Sequence, residues 1–535
     1  MRRLYNFSNS VINIFWRVLF FLTLFFALTS VNIILGDNDT FGTSTTMLTT
    51  GLIIFIVAIC VMIYAYPSIR AWFYNVFITH QIRTSSFILF LVVLGQIFFV
   101  TFCHPTSGFD SGMLLHAATS VKHAQEVDVT SYFSLNQNNL PIMLFMHWLV
   151  TLSGQTSWLF FDYVTLVTVD VSAALNLLSI WLIRKKLLGT AIYMHCAWLM
   201  VFPTIIMPYT DAWSLPLVSL YLFCYFVMHK TAKMKTPMEQ LSFVLAGLVF
   251  GFSAVLVYFV KPSAIIPVVA IVIIGLLNWL IKKKHFTMQG VVLIFSALLL
   301  IGVSGGATYK VANDKIQNQT YIEIDKSRSI PAIHFMAMGV YGQGGYDWHQ
   351  AVAMTFIPTE KQKSEYSVNM LKKRLKQLGP WGYFKFLILK QRNNTADGTF
   401  GWLKEGHFFL ENQKPSDKGI TNKLKNFIYL YGRNIADFRF TAQLWWIVLL
   451  VTIALGFGQR NDFVRILKLS LVGGFMFLLL FEGGRSRYLI QYLPCILLLS
   501  ILSSEQALSN IKRLLGWYEV KVDEAEKADK LARNS

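Results

Sequence analysis

Residues 264–281 read Ala-Ile-Ile-Pro-Val-Val-Ala-Ile-Val-Ile-Ile-Gly-Leu-Leu-Asn-Trp-Leu-Ile, a run of 18 without a charged side chain, and Lys282-Lys283-Lys284 follows at once. A helix needs roughly 20 mostly apolar residues to cross the hydrocarbon layer, and this run is long enough, while the lysines at its end mark the side retained in the cytoplasm. The same pairing of apolar run and basic end recurs along the chain. By that criterion the spans are 11–35, 47–66, 84–103, 157–183, 188–206, 212–228, 241–259, 264–281, 289–308, 442–459, 463–481 and 487–506, about twelve in all. The expected fold class is an all-α polytopic membrane protein.

Composition agrees. Of 535 residues, 55% are hydrophobic and only 14% charged, with a mean hydropathy of +0.51, well outside the range of soluble domains. Lys and Arg number 47 against 28 Asp and Glu. In a soluble protein that excess would suggest nucleic acid, but here the basic clusters sit between apolar runs and read as topology signals, so no nucleic-acid partner is expected. Cys60, Cys103, Cys196, Cys224 and Cys495 form no Cys-x-x-Cys pair and no metal-ligand spacing, which argues against a disulfide framework or a zinc site built on cysteine. No Ala-x-Ala cleavage site follows the first span, so it is expected to remain as an anchor.

Orientation follows from Arg2 and Arg3, Arg70 and Arg83, Arg184 to Lys186, Lys230 to Lys235, Lys282 to Lys284, and Arg460 to Lys468, all on one side. This predicts a multi-pass plasma-membrane protein with both termini cytoplasmic. The alternate connections then face outward: Asp37 and Asp39, the Phe109-Asp110 region, Tyr209-Thr210-Asp211, Lys261-Pro262 and Glu482 to Arg487. Residues 140–153 are apolar but too short to cross, and are expected as a re-entrant or interfacial helix in the first large outer loop, 104–156. The chain divides into a transmembrane module (1–308), a mainly helical outer loop domain (309–441), closing spans (442–506) and a cytoplasmic tail (507–535). The loop domain holds 20 Lys and Arg against 11 Asp and Glu, a basic surface suited to anionic lipid heads or an anionic polymer. Within it Met370 to Lys376 and Phe384 to Leu387 alternate basic and apolar residues, a pattern for a helix lying on the membrane.

Charge is scarce in the short outer loops, so the exceptions are the candidate site residues. Asp110, in Pro105-Thr106-Ser107-Gly108-Phe109-Asp110-Ser111-Gly112, is either a general base for an acceptor hydroxyl or the cap of the helix that follows. Asp211 has the same two readings, transferase carboxylate or N-cap. Together they are too few ligands to define a metal site, and dependence on a divalent ion such as Mg2+ or Mn2+ stays open. Glu482-Gly483-Gly484-Arg485-Ser486-Arg487-Tyr488 is the densest polar cluster near a membrane face. Forked arginines and approachable glycine backbone suit a lipid phosphate; the bland reading has Arg485 and Arg487 snorkelling to lipid heads while paired with Glu482. Lys261 is a further phosphate contact or a further snorkelling cation. Asp347-Trp348-His349 and Glu405-Gly406-His407 place polar groups beside aromatics that stack on sugar rings, although histidines in long loops are commonly structural, His334 included. Asp170 and His195 lie inside spans and must face the bundle interior. No Walker loop, Rossmann fingerprint or kinase set occurs.

In order and sidedness these motifs resemble the C-type (GT-C) glycosyltransferases, in particular the bacterial protein mannosyltransferase and aminoarabinose transferase group. The resemblance rests on Phe109-Asp110, on Asn139-Leu140-Pro141, on Pro208-Tyr209-Thr210-Asp211, and on Glu482 with Arg487-Tyr488 ahead of Pro494. Gly379-Pro380 to Lys390 and Asp397-Gly398-Thr399-Phe400-Gly401-Trp402 look like integral membrane members from Gram-positive bacteria. The chain departs from the pattern in the number of spans ahead of the Asp110 loop, and in having a single Asp110 where paired acidic residues are usual. What the resemblance implies is a GT-C-like fold and an inverting transfer of sugar from a polyprenyl-phosphate carrier at the outer face. Asp110, with Asp211, would be catalytic; Arg485, Arg487, Tyr488, Glu482 and Lys261 would hold the lipid phosphate; Asp347, Trp348, His349, Glu405 and His407 would contact sugar or acceptor. The acceptor would be an anionic cell-wall glycopolymer such as a teichoic acid, a secreted protein or a glycolipid. Two other classes stay open: a flippase or transporter of lipid-linked oligosaccharide, which would place charges near the bilayer midplane, and a polysaccharide polymerase. A structural subunit of an envelope complex is the third.

Overall fold

The computed structural model describes residues 2–36, 44–233, 235–281, 288–402, 414–458 and 461–515, and every regular element among them is a helix. Helices α1 (Arg2–Leu28), α2 (Met47–Ala65), α3 (Pro67–Tyr74) and α4 (Gln81–Phe102) lead into a group of short helices. These are α5 (Phe109–Thr119), α6 (Val121–Ala124), α7 (Val127–Leu135) and α8 (Leu140–Ser153). There follow α9 (Trp158–Arg184), α10 (Leu188–Met200), a single turn α11 (Thr210–Trp213), α12 (Leu215–Thr231), α13 (Pro237–Val260), α14 (Ile266–Ile281) and α15 (Met288–Gln317). The long insertion carries α16 (Ala332–Met338), α17 (Trp348–Ala353), α18 (Glu360–Thr395) and α19 (Ile420–Ile428), after which come α20 (Ile435–Leu455), α21 (Asp462–Leu480) and α22 (Leu493–Leu514).

Eleven of the described stretches are long and apolar enough to cross a membrane. The longest, Trp158–Met200, has 43 residues, which as one helix would be about 65 Å, twice the hydrocarbon thickness. It is folded in two. A 3-10 turn at Lys185–Leu187 separates α9 from α10, and the chain returns so that Trp213 donates to Thr165, near the start of α9, at 2.9 Å. Divided there, and with α10 continued by the 3-10 turn Pro203–Ile206, the eleven stretches make twelve candidate spans among the described residues, the number expected from hydropathy. The chain is a polytopic all-α membrane protein.

Inside a bilayer burial is driven by close packing more than by exclusion of water, which favours small residues at helix contacts. Gly247 and Gly251 of α13 supply that face toward α15: a Cβ at Gly251 would lie 2.4 Å from the Ile301 carbonyl oxygen. Ser172 and Ser219 join α9 to α12 at 2.7 Å. The core is centred on α22, whose residues from Leu493 to Leu502 are all buried.

Helix ends sort into two groups. At one end Arg184 and Lys186 pair with Glu505 of α22, Arg465 donates to Asn278 at 3.3 Å, and Tyr193 donates to the Phe77 carbonyl at 3.2 Å. The basic connections thus share one end. At the opposite end lie Asp110, Asp211, Lys261 and the 482–488 turn. Helix α8 has 14 residues, about 21 Å and too short to cross; it packs on α5 and α13 and leaves Phe145, Trp148 and Leu152 exposed.

Three boundaries differ from hydropathy. Helix α15 passes 308 unbroken to Gln317, α20 begins at Ile435 ahead of 442, and α22 runs past 506. Helix formation does not stop where apolar content falls, and the polar first turn of α20 is satisfied locally: Asp437 accepts from the Thr46 amide at 2.9 Å and from Asn434 at 2.8 Å. Helix α18 bends at Gly379-Pro380, where Gly379 has φ 61°. Beyond the bend Trp381 and Phe384 stack and stay exposed, with Lys385 over the Trp381 ring. The tail from 516 onward lies outside the described residues.

Candidate functional site

Asp211 sits in a one-turn helix between Pro208 and α12, and Lys261 is the residue at which α13 ends before Pro262, which cannot continue its hydrogen-bond ladder. These two breaks bring the side chains together in an ion pair. Arg487, on the 3-10 stretch Ser486–Tyr492, approaches the same carboxylate with Nε at 3.4 Å. Asp211 is 1% exposed and Arg487 7%. Neither helix capping nor snorkelling describes them: Asp211 makes no cap bond on α11, and both cations point inward to one acid. The guanidinium also lies 5.5 Å from the Tyr209 ring centre and 5.5 Å from that of Tyr488, and the Lys261 ammonium is 5.5 Å from the Tyr488 ring.

Asp110 reaches this cluster from a different hairpin. Gly108, not Asp110, occupies the cap position of α5, and no side chain caps that helix. Phe109 has φ 47°, a sparsely populated conformation for a bulky residue and a mark of local constraint. The Asp110 carboxylate accepts a hydrogen bond from Tyr132 at 2.7 Å, and Asn139 donates to the same phenol oxygen at 2.7 Å. Asn139 continues to Tyr209 at 3.4 Å, two residues from Asp211. Ser111 fastens the two hairpins directly through the Pro208 carbonyl at 3.0 Å. Burial holds the Tyr132 and Tyr209 phenols above their ordinary range, so both remain donors. The second Asp110 oxygen makes no hydrogen bond among the described residues, and the residue is only half-buried.

The 482–488 turn forms the third side. Burial raises the Glu482 carboxyl, against the lowering hydrogen bond from Tyr488 and the charges of Arg485 and Arg487; Asp110 is close enough to raise it further. Gly483 donates to the Gly344 carbonyl at 2.8 Å and Gly484 to Asn394 at 2.6 Å. Gly484 has φ 71°, and a Cβ there would lie 2.1 Å from the Gln343 carbonyl oxygen, so only glycine fits. Arg485 donates to the Tyr346 carbonyl at 3.1 Å.

Several residues of this centre escaped sequence reasoning. Lys390 is fully buried and donates to the carbonyls of Gly339 (2.7 Å), Leu479 (3.1 Å) and Phe481 (2.5 Å), and burial pushes its ammonium down to about 7. Asp397 accepts from the amides of Thr399 (2.9 Å) and Gly401 (3.1 Å) and from Ser486 at 3.1 Å, backing Arg487 with its own loop. Tyr132, Tyr346 and Asn394 complete the set. The available signal was the meeting of two glycine-rich stretches, Gly342 to Gly345 and Gly483-Gly484, which predicts close backbone contact but not its partner.

Asp347 caps α17, accepting from the amides of His349 at 3.0 Å and Gln350 at 3.4 Å. Trp348 and His349 stack at 3.7 Å, exposed at the rim next to Tyr346. Glu405 and His407 lie outside the described residues. His334 is buried against Ser367 at 3.1 Å, and burial holds its imidazole down at about 4; His195 bonds the Ala191 carbonyl within its own helix. A cavity of about 690 Å³ opens between the 125–141 segment and the end of α15, lined by the amides of Gln137, Asn138, Gln317 and Gln319 and by Tyr258 and Phe259. Its Asn138 adjoins Asn139, and its Pro262 adjoins Lys261.

Three carboxylates, Asp110, Asp211 and Glu482, thus face four cations, Lys261, Arg485, Arg487 and Lys390, at the level where the spans end. The arrangement offers a carboxylate with an unengaged oxygen beside a fixed cationic surface, the parts that proton abstraction and phosphate recognition need. The chain belongs to the family described as conserved hypothetical integral membrane protein, whose model matches residues 4–508. No curated protein and no solved structure matches it.

Proposed function

We propose that this family member is an inverting glycosyltransferase of the C type, using a polyprenyl-phosphate-linked sugar at the outer face of the plasma membrane. The observation that supports this most is the convergence of Asp110 with Arg485, Arg487 and Lys261 at one end of the bundle, where the candidate spans end. Asp110 takes the proton of an acceptor hydroxyl as that oxygen attacks the anomeric carbon, and the polyprenyl phosphate leaves from the opposite side of the sugar. The leaving phosphate gains charge as its bond to the sugar breaks, and the arginines, already oriented by Asp211 and the Tyr346 carbonyl, stabilise it without reorganising. Asp211 is a positioning residue in this reading: Lys261 and Arg487 both lean on it, so it sets where they point. The amide-rich cavity suits the neutral hydroxyls of a glycan acceptor, with donors and acceptors interleaved beside two aromatic faces. Asp347, Trp348 and His349, next in sequence to Tyr346, are the residues assigned to the incoming acceptor in this reading, and the basic insertion favours an anionic cell-wall polymer as that acceptor.

A second reading has one observation in its favour. Asp162, inside α9, is fully buried and has no hydrogen-bond partner among the described residues, and an intramembrane carboxylate of that kind suits a translocation path. Purified protein in liposomes, given an extract of radiolabelled polyprenyl-phosphate sugars and cell-wall acceptors, separates the two. Transfer of label from lipid to acceptor is expected. Label that crosses the bilayer still attached to lipid, with none transferred, would replace the enzyme by a flippase.

A further inference from the structure

His116, His123 and Glu126 lie within eleven residues of sequence, yet each comes from a different element: the last turn of α5, the one-turn helix α6, and the residue that precedes α7. His116 Nε2 is 2.8 Å from one Glu126 carboxylate oxygen, and His123 Nδ1 is 2.8 Å from the other. One ligand-capable atom from each of the three lies within 4.8 Å of the other two. In a tetrahedral zinc site with bonds of about 2.0–2.2 Å, neighbouring ligand atoms are about 3.3–3.6 Å apart, so the two His–Glu contacts must open, and any wider separation close, by about 1 Å to enclose an ion. The geometry points to a binding site for a divalent transition metal at His116, His123 and Glu126, zinc being the ion suited to two imidazoles and one carboxylate.

The backbone is built to hold these ligands. Ser120 caps α6 through the His123 amide at 3.2 Å. Tyr321 clamps the segment from behind, donating to the Ala117 carbonyl at 2.8 Å and accepting from Gln125 through its own carbonyl at 2.6 Å. His147 stacks on Tyr321 at 3.8 Å and contacts the Ala118 carbonyl at 3.0 Å. These contacts hold the backbone on both sides of the cluster, next to His116 and next to Glu126. The cluster is also open: His116 and Glu126 are exposed and His123 half-buried, so an ion can enter and a water can take the fourth position.

Its place gives it a role. Helix α5 carries Asp110 in its first turn and His116 in its last, about 9 Å along the axis, too far for the ion to touch a group reacting at Asp110. Helix α7 carries Glu126 at its start and Tyr132, the Asp110 partner, in its last turn. The ion closes one end of the α5–α7 pair while the Asp110–Tyr132 hydrogen bond closes the other. It is a positioning metal, distinct from the phosphate cluster, and its binding does not depend on the reaction proposed above.

The test is metal uptake by tag-free, chelator-stripped full-length protein in detergent, using Zn2+ and Co2+ alone as probes. One ion per chain is expected, with the visible absorption of tetrahedral cobalt and a raised thermal unfolding midpoint. His123→Gln and Glu126→Gln should each weaken uptake at least tenfold, while Asp110→Asn binds as the wild type does. Retained helical circular dichroism in the variants shows that folding is intact. No stoichiometric uptake by the wild type, or uptake unchanged in a His116→Gln/Glu126→Gln double variant, would overturn the assignment.

Discussion

Asp211 is the residue on which a catalytic and a positioning role diverge most in what they predict. Asp211→Asn keeps the shape and removes the charge that Lys261 and Arg487 share. Deleting one partner of a buried ion pair costs about 3–5 kcal/mol, because the remaining charge is left in low dielectric. Here two cations lose their partner in a pocket where Asp211 is 1% exposed, so the upper part of that range, about 5 kcal/mol, is expected. Lys261→Met alone leaves the Arg487 contact in place and should cost less, about 1–3 kcal/mol. Combining the two removes one of the stranded cations, so the double variant should be more stable than Asp211→Asn alone by about 2 kcal/mol. Unfolding midpoints in detergent micelles, taken around this double-mutant cycle, measure the coupling. If Asp211→Asn unfolds with the wild type, or the two costs simply add, Asp211 does not bind the cations together and the positioning role fails.

Three further outcomes follow from the same geometry. Gly484→Ala places a methyl 2.1 Å from the Gln343 carbonyl oxygen in a residue at φ 71°, so the turn must reopen; sugar release should fall at least a hundredfold while the protein still reaches the membrane. Tyr132→Phe removes the donor to Asp110, and a hydrogen bond to a charged group contributes about 1.5–3 kcal/mol; turnover should drop about tenfold or more with donor-lipid binding unchanged. Lys390 binds its proton less tightly when folded, about 7 against 10.5 for the unfolded chain. Between those values the unfolded chain holds more protons, so this contribution makes the protein more stable as pH rises from about 7 toward 10. Unfolding midpoints measured across that window should show the rise, and Lys390→Met should flatten it.

Legibility in the sequence tracked physical range. The spans were readable because an apolar run of fixed length is a local property, and the shared end of Arg184, Lys186 and Arg465 follows from counting crossings. The α9–α10 break was readable from Arg184-Lys185-Lys186, which cannot lie in hydrocarbon. Asp110, Asp211, Lys261, Glu482, Arg485 and Arg487 were found because charge at a span end is costly without a reason. What they do with one another was not, since the Asp211 pairs with Lys261 and Arg487 join residues 50 and 276 positions apart. Lys390 enters the sequence reading only as the end of the stretch that begins at Gly379-Pro380, and it is the approach of the Gly339 and Leu479–Phe481 carbonyls that makes it a buried latch. The cap that Asp347 makes on α17 was not legible in Asp347-Trp348-His349, because a six-residue helix leaves too short a periodic pattern to announce its start.

The central claim is that Asp110 is the base of a lipid-sugar transfer, and one comparison bears on it most directly. Wild type and Asp110→Asn, reconstituted in liposomes with radiolabelled polyprenyl-phosphate sugars, are followed for release of sugar from lipid and, separately, for donor-lipid binding. Asp110→Asn should lose about a hundredfold or more in release, within the range typical of a general base, with binding retained. Equal release by the two proteins would contradict it.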